Sequence, residues 1–162
     1  MNVIDKTYLE MFRYCAGDAH SIQHFVKVHS YAAWIGRQEA LDPDAQETLE
    51  LTALVHDIGI KPAMEKYGKA DGPYQEKEGE PVALELLTRV GARREAAERA
   101  AFLVRRHHTF DDFGLDHRIL LEADMLVNLA EGGATKEKAA KMRESVFRTE
   151  AGKALLDQLF GL

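Results

Sequence analysis

"LTALVHDIGI", residues 51–60, sets two ionisable neighbours, His56 and Asp57, at the end of a run apolar enough to be core. Burying a polar group with no partner costs roughly 2–7 kcal/mol, and a bare carboxylate far more. A chain that keeps such a pair inside must hold it with something. Leu51, Leu54 and Val55 share one helical face, and His56-Asp57 closes it. "LDPD" at 41–44 breaks the chain before this stretch and puts Pro43 near the first helical turn. The helix is expected to reach about His56, with Gly59 and Pro62 ending it. Gly59 is read as the residue that lets the backbone turn sharply.

The same period runs through the rest of the chain. Ile4, Tyr8, Met11 and Phe12 mark a helix over 3–15. Asp18 is a plausible N-cap for a longer one to about Glu39, with Ile22, Phe25, Val28, Ala32 and Ile35 on its apolar face. A short helix over 62–67 stops at Gly68. "KADGPYQEKEGE", 69–80, is polar and carries Gly72-Pro73 and Gly79, so it reads as a loop across a surface or a cleft mouth. Helices are expected again at about 81–90, 93–107, 116–131, 135–147 and 149–160. There is no alternating strand pattern, repeat, low-complexity tract or long linker. The expectation is an all-α fold, one helical bundle over 1–162, its C-terminal helices packing on the core as a cap or forming a homodimer face.

Composition narrows the function classes. The 162 residues suffice for a core, and 30% charged against 46% hydrophobic is a soluble balance. A net charge of −6, with Glu and Lys dispersed, argues against a general nucleic-acid surface. It leaves room for one small anion in a locally positive pocket. No apolar run is long enough for a membrane span, and the N-terminus is no signal peptide. Cys15 stands alone, so no internal disulfide forms and a cytoplasmic, reducing setting is expected.

Other ionisable residues also fall where the helical pattern wants core. His24 shares a face with Val28 and Ile35, with His20 one turn earlier. His107-His108 ends the helix holding Ala101, Phe102 and Val104, and Asp124 sits among Leu120, Leu121, Leu126 and Val127. Singly, each has a plain explanation: a hydrogen-bonded core histidine, a bond to a neighbouring helix end, or an answer to a helix dipole. Four separate helices would need that explanation at once. Imidazoles and carboxylates converging in a helical core are what a divalent cation requires, and the cation supplies the missing compensation. Adjacent His and Asp project about 100° apart, so both reach one ion only where a helix end lies close to it. The two oxygens of Asp57 could bridge two ions.

The order His24, His56-Asp57, Asp124 resembles the HD superfamily of metal-dependent phosphohydrolases. "IQHFVKVHSYAAWIG" is similar to that family's first helix, "ALVHDIGI" to its name-giving motif, and "LLEADMLVNL" to its last-aspartate helix. The likeness spans roughly 18–131. It implies a bundle of five or more helices with His24, His56, Asp57 and Asp124 holding a catalytic metal. Two-metal members add histidines after the motif, and His107 and His108 stand where such residues occur. These members carry a further histidine shortly after the motif; here the nearest matching position is Glu78, in "EKEGEPVALELL". His20 matches a further ligand position of some members, but no "GYP" follows His107-His108, which argues against cyclic-dinucleotide hydrolysis. His29 is read as structural or supporting, and His117 as a surface residue.

The resemblance implies one or two divalent ions, with Fe, Mn, Mg, Ni, Co and Zn all compatible, acting through activated water. Asp57 would bridge two ions or, beside one, orient the water; His107 or His108, if not a ligand, could contact phosphate or protonate the leaving oxygen. Lys61 is the best candidate for a phosphate contact, ahead of Arg105 and Arg106. The segment 69–80, with Tyr74, Gln75 and Lys77, is placed to cover the site. The expected substrate is a nucleotide or another small phosphate ester or anhydride. Other readings of the same residues are a di-iron site for oxygen chemistry, a metal-stabilised binding module for a phosphorylated ligand, and a plain bundle with buried histidines.

Overall fold

The computed structural model describes residues 1–162, which form nine helices and no strand. In chain order these are α1 (Val3–Tyr14), α2 (Ala19–Gln38), α3 (Pro43–Ala53), α4 (Ile60–Tyr67) and α5 (Gly72–Arg89). They continue with α6 (Arg94–Val104), α7 (Leu115–Glu131), α8 (Lys136–Ser145) and α9 (Glu150–Phe160). Local chemistry sets many of the boundaries. The Asp18 carboxylate accepts from the Ser21 amide at 3.0 Å to start α2, and Asp42 accepts from Ala45 at 2.9 Å ahead of Pro43 in α3. Gly68, with φ 70°, adopts the left-handed cap that ends α4.

Helix α3 is the hinge of the packing. Leu49 and Ala53 join Val28, Ala32 and Ile35 of α2, Ile119, Ala123 and Leu126 of α7, and Leu156 of α9 in one core. Leu51 and Val55 join Leu86 and Leu87 of α5 and Ala100 and Val104 of α6 in a second. Leu54 meets Met11 of α1 and Phe25 of α2. Only the C-terminal half of α3 is buried, from Thr48 to Ala53 apart from Glu50, and each buried leucine there contributes about 1.5–3 kcal/mol. The chain that leaves α3 therefore emerges between two cores, carrying His56 and Asp57 with it.

Two features differ from the sequence expectation. Helix α3 ends at Ala53, and His56-Asp57 lie in tight turns before α4. The polar segment 69–80 is largely helical, because α5 begins at Gly72. Pro73 sits in the first turn, where its missing N–H costs nothing, and α5 continues through Pro81. Gln75 and Gly79 on that first half are buried against the turn after α3, so packing outweighs weak helix propensity.

The C-terminal helices pack on the bundle. Glu122 of α7 is fully buried and accepts from the Arg148 and Thr149 amides at 2.6 and 3.0 Å, ahead of α9. No helix is long and apolar enough to cross a membrane.

Candidate metal centre

Three elements, α2, the turn after α3 and α7, bring His24, His56, Asp57 and Asp124 together, with one donor atom from each residue within 4.8 Å of the others. His24 Nε2 lies 3.3 Å from His56 Nε2, 3.3 Å from Asp57 Oδ2 and 3.1 Å from Asp124 Oδ1. His56 Nε2 is 3.4 Å from both carboxylate oxygens. Atoms bound about 2.0–2.2 Å from a common centre stand about 2.8–3.1 Å apart along the edges of an octahedron and about 3.3–3.6 Å along those of a tetrahedron. These separations match that spacing.

The backbone orients the imidazoles. A carbonyl oxygen only accepts, so Nδ1 of His56 donates to Ala53 O at 2.8 Å, and Nδ1 of His107 to Val104 O at 2.7 Å. His24 Nδ1 faces the Glu131 carboxylate at 3.2 Å. In each neutral ring Nε2 is then a lone pair aimed inward, the tautomer a metal uses. Asp124 Oδ1 is buried with no aligned hydrogen bond, although His24 Nε2 is near. An orphaned buried oxygen among inward lone pairs fits a cation and is costly without one.

Without an ion, protons must fill that role. Burial pushes the His24 imidazole toward neutrality, but the Asp124 and Asp57 carboxylates outweigh it and raise its pKa to about 9. His56 is likewise raised against burial, by Asp57 first and Asp124 next. Burial opposes the Asp57 and Asp124 carboxylates, yet His56 and its neighbours hold the first well below its usual range, and His24 and His56 lower the second.

Asp57 turns its other oxygen elsewhere. Oδ1 lies 3.0 Å from His107 Nε2, and Asp57, His107 and His108 form a second group of donors within 4.8 Å. The His108 ring stacks on His107 at 3.8 Å between centroids, and its side chain is 37% exposed. Burial, then His107, keeps the His108 pKa below its usual value.

A cleft of about 490 Å³ opens beside the first group, with His24 and Asp57 in its wall. Lys61 is the one lysine or arginine in its lining, its ammonium 5.1 Å from the Tyr14 ring centroid. His20 and Asn128 also line it; His107 and His108 do not.

Other expected residues stand apart. Glu78 bonds Tyr67 Oη at 2.8 Å and Lys66 at 3.1 Å on α4. It is Gly79, about 100° round α5, that faces the turn after α3. The residues at His108 are Gln75 and Glu76 instead: Gln75 Nε2 is 3.4 Å from His108 Nε2, and the His108 amide donates to Glu76 at 2.8 Å. Tyr74 stacks on Tyr67 and Lys77 is exposed. Arg105 reaches toward Glu80 at 3.9 Å, and Arg106 lies over Phe102 at 3.7 Å. His29 bonds Tyr8 at 2.6 Å. His117, expected at the surface, is 1% exposed, because the chain before α7 folds over it and Arg106 O accepts from its Nε2 at 2.8 Å. Sequence reasoning missed Glu131, although Asp124, Asn128 and Glu131 follow the spacing of one helical face.

Comparison with known proteins agrees with this geometry. A family model described as the HD domain matches residues 21–132, a span that includes both donor groups. The chain is also similar to a crystal structure of a predicted HD superfamily hydrolase from an uncultured Thermotogales bacterium. The two are 23% identical with a TM-score of 0.65, over 96% of this chain and 82% of that one. At that identity the likeness speaks to the fold alone. No curated protein matches.

Proposed function

This chain belongs to the HD-domain family, and we propose that it is a metal-dependent phosphohydrolase acting on a nucleotide or another small phosphate ester or anhydride. The observation that carries the reading is the pairing of two things in one place. A four-residue donor set with inward lone pairs borders a cleft large enough for a small organic phosphate, and that cleft's lining holds a single lysine.

When bound, a divalent ion lowers the pKa of its water toward neutrality and offsets charge on a phosphoryl oxygen. The chain's own residues supply the rest. Glu131 holds the His24 ring in its ligating orientation, and the Ala53 carbonyl does the same for His56. Asp57 and Asp124 bring the negative charge that fixes a cation there. Lys61, the one cation in the cleft lining, would pair with the substrate's outer phosphate oxygens. His108 lies outside the cleft lining, so a role as proton donor to the leaving group has no support here, while a place near Asp57 does. The setting we infer is cytoplasmic, with small phosphorylated molecules as partners.

The test is anaerobic phosphate release from a panel of nucleoside monophosphates and simple phosphomonoesters, assayed with Mn²⁺, Co²⁺, Ni²⁺ and Mg²⁺ in turn. Turnover of at least one ester, with Lys61→Ala raising KM by about 10–100-fold, as loss of a charged hydrogen bond should, is the expected result. Oxygen-dependent product formation with no anaerobic phosphate release would favour di-iron chemistry on the same ligands. Binding of phosphorylated compounds without turnover under any ion would favour a sensing module.

A further inference from the structure

Helix α1 lies ahead of the span 21–132 that matches the HD domain, yet its last residue reaches the cleft. That residue is Tyr14, and its two ends meet two parts of the site. The hydroxyl donates to the Ile58 carbonyl at 3.2 Å, one residue after Asp57. The ring lies under Lys61, whose ammonium stands 5.1 Å from the ring centroid, within reach of a cation–π contact. No carboxylate pairs with that ammonium, although Glu65 follows one turn later in the same cleft wall. Lys61 is otherwise exposed, on a flexible four-carbon stem. The platform under it is fixed. Tyr14 packs half-buried against the core that holds Leu51, Val55 and Ile58. One turn back on α1, Met11 is fully buried beside Phe25 and Leu54, and Tyr8 bonds His29 of α2 at 2.6 Å. Burial first, then Cys15 and Glu65, raises the Tyr14 pKa to about 12, so its hydroxyl remains a donor at neutral pH.

We propose that Tyr14 is a positioning residue: its ring holds the Lys61 ammonium at the cleft, ready to meet a phosphate, while its hydroxyl ties that platform to the turn carrying Asp57. The inference rests on the reading of Lys61 as the phosphate contact. A lysine paired with Glu65 would have to break that pair before it met a substrate, and an untethered one would have to be ordered at each binding event. An aromatic face attracts the ammonium without accepting its N–H donors, so all three stay available for phosphate oxygens. Because the same phenol grips the backbone beside Asp57, the four-residue donor group and the cation are both referenced to one side chain. Helix α1 thereby completes a cleft whose other polar residues come from α2, α4, α7 and the turn after α3.

The experiment measures inorganic phosphate binding and ester turnover by the Mn²⁺-loaded full chain, in the native protein and in Tyr14→Phe, Tyr14→Leu, Lys61→Ala and the Tyr14→Leu, Lys61→Ala double variant. Tyr14→Leu should weaken phosphate binding and raise KM by about 3–10-fold, with kcat and Mn²⁺ content little changed. Tyr14→Phe keeps the ring and should recover most of that loss, whereas a role in stability alone would predict no such split. On the Lys61→Ala background, Tyr14→Leu should add no further loss. A measurement on the native chain needs no variant to fold: in the Mg²⁺-loaded protein the Lys61 ε-methylene protons should be shifted upfield by the ring. Unshifted protons, or a Tyr14→Leu loss that is the same with and without Lys61, overturn the proposal and leave the phosphohydrolase reading standing. Lys61→Ala with native phosphate affinity and KM overturns the assignment of Lys61 and the proposal together. The expected pattern of phosphate binding in a chain that turns over no ester supports the role of Tyr14 and overturns the phosphohydrolase reading instead.

Discussion

His56 is wholly buried, and its Nδ1 proton is committed to the Ala53 carbonyl, so Nε2 can be satisfied only by what His24, Asp57 and Asp124 offer. Those neighbours can hold either protons or a cation, and the two compete. The pKa of His24, raised to about 9 in the ion-free protein, means that this ring is protonated at pH 7 and must lose its proton to ligate. Ion binding at pH 7 is therefore expected to release at least about one proton per chain, and affinity should climb with pH up to about 9. Calorimetry in two buffers of different ionisation enthalpy measures both; a binding enthalpy independent of buffer would contradict it. Stability carries the same linkage. In the ion-free chain the raised His24 pKa contributes stability that is fully present below the unfolded value of about 6.5. That contribution is lost as pH rises through about 9. The lowered pKa of Asp124 works the other way, contributing stability above the ordinary carboxylate range of about 3.9 that is lost on acidification. Tm of the ion-free chain should thus fall between pH 6.5 and 9 while that of the ion-loaded chain holds, a comparison scanning calorimetry makes directly.

At the scale of elements, α5 and the turn after α3 form the joint that the site depends on. Gly59 has φ −75° and ψ −11°, a conformation open to any residue, so a sharp turn is not why glycine stands there. The reason is contact, since a Cβ would meet the Gln75 carbonyl at 1.9 Å and the Gly79 nitrogen at 2.6 Å. Both obstacles are backbone and cannot rotate away. Gly59→Ala should cost about 3 kcal/mol in urea unfolding, at the upper end for overpacking. It should also displace α5 from His108 and loosen ion binding, whereas a value within about 0.5 kcal/mol, typical of an ordinary surface change, would contradict the close approach. This joint is also what the sequence hid. Gly72, Pro73 and Gly79 look like loop residues, because propensity is local while the packing of Gln75 and Gly79 against the turn after α3 is not. The long amphipathic helices, by contrast, announce themselves: α2 with its Asp18 cap, and α7 with its apolar face, could be read directly. His117 was misplaced for the same reason as α5, since nothing local foretells that the chain at Arg106 returns to cover it.

For the whole molecule, two cores share α3, and the turn after that helix comes out where α2 and α7 can each add one ligand. The meeting of His24, His56, Asp57 and Asp124 was legible because four polar residues on apolar helices share one physical reason. The division of labour between the two oxygens of Asp57, and the roles of Glu131, Gln75 and Glu76, were not, because they depend on how α5, α6 and α7 dock. This convergence is expected to hold a divalent ion rather than protons. Metal content per chain, measured by mass spectrometry on protein purified without chelator, tests it most directly. A first-row divalent metal close to or above one equivalent is expected in the native chain, with near-complete loss in a folded, helical Asp57→Ala variant; a native chain with no metal, or a variant that retains the full amount, would show that protons fill the site instead.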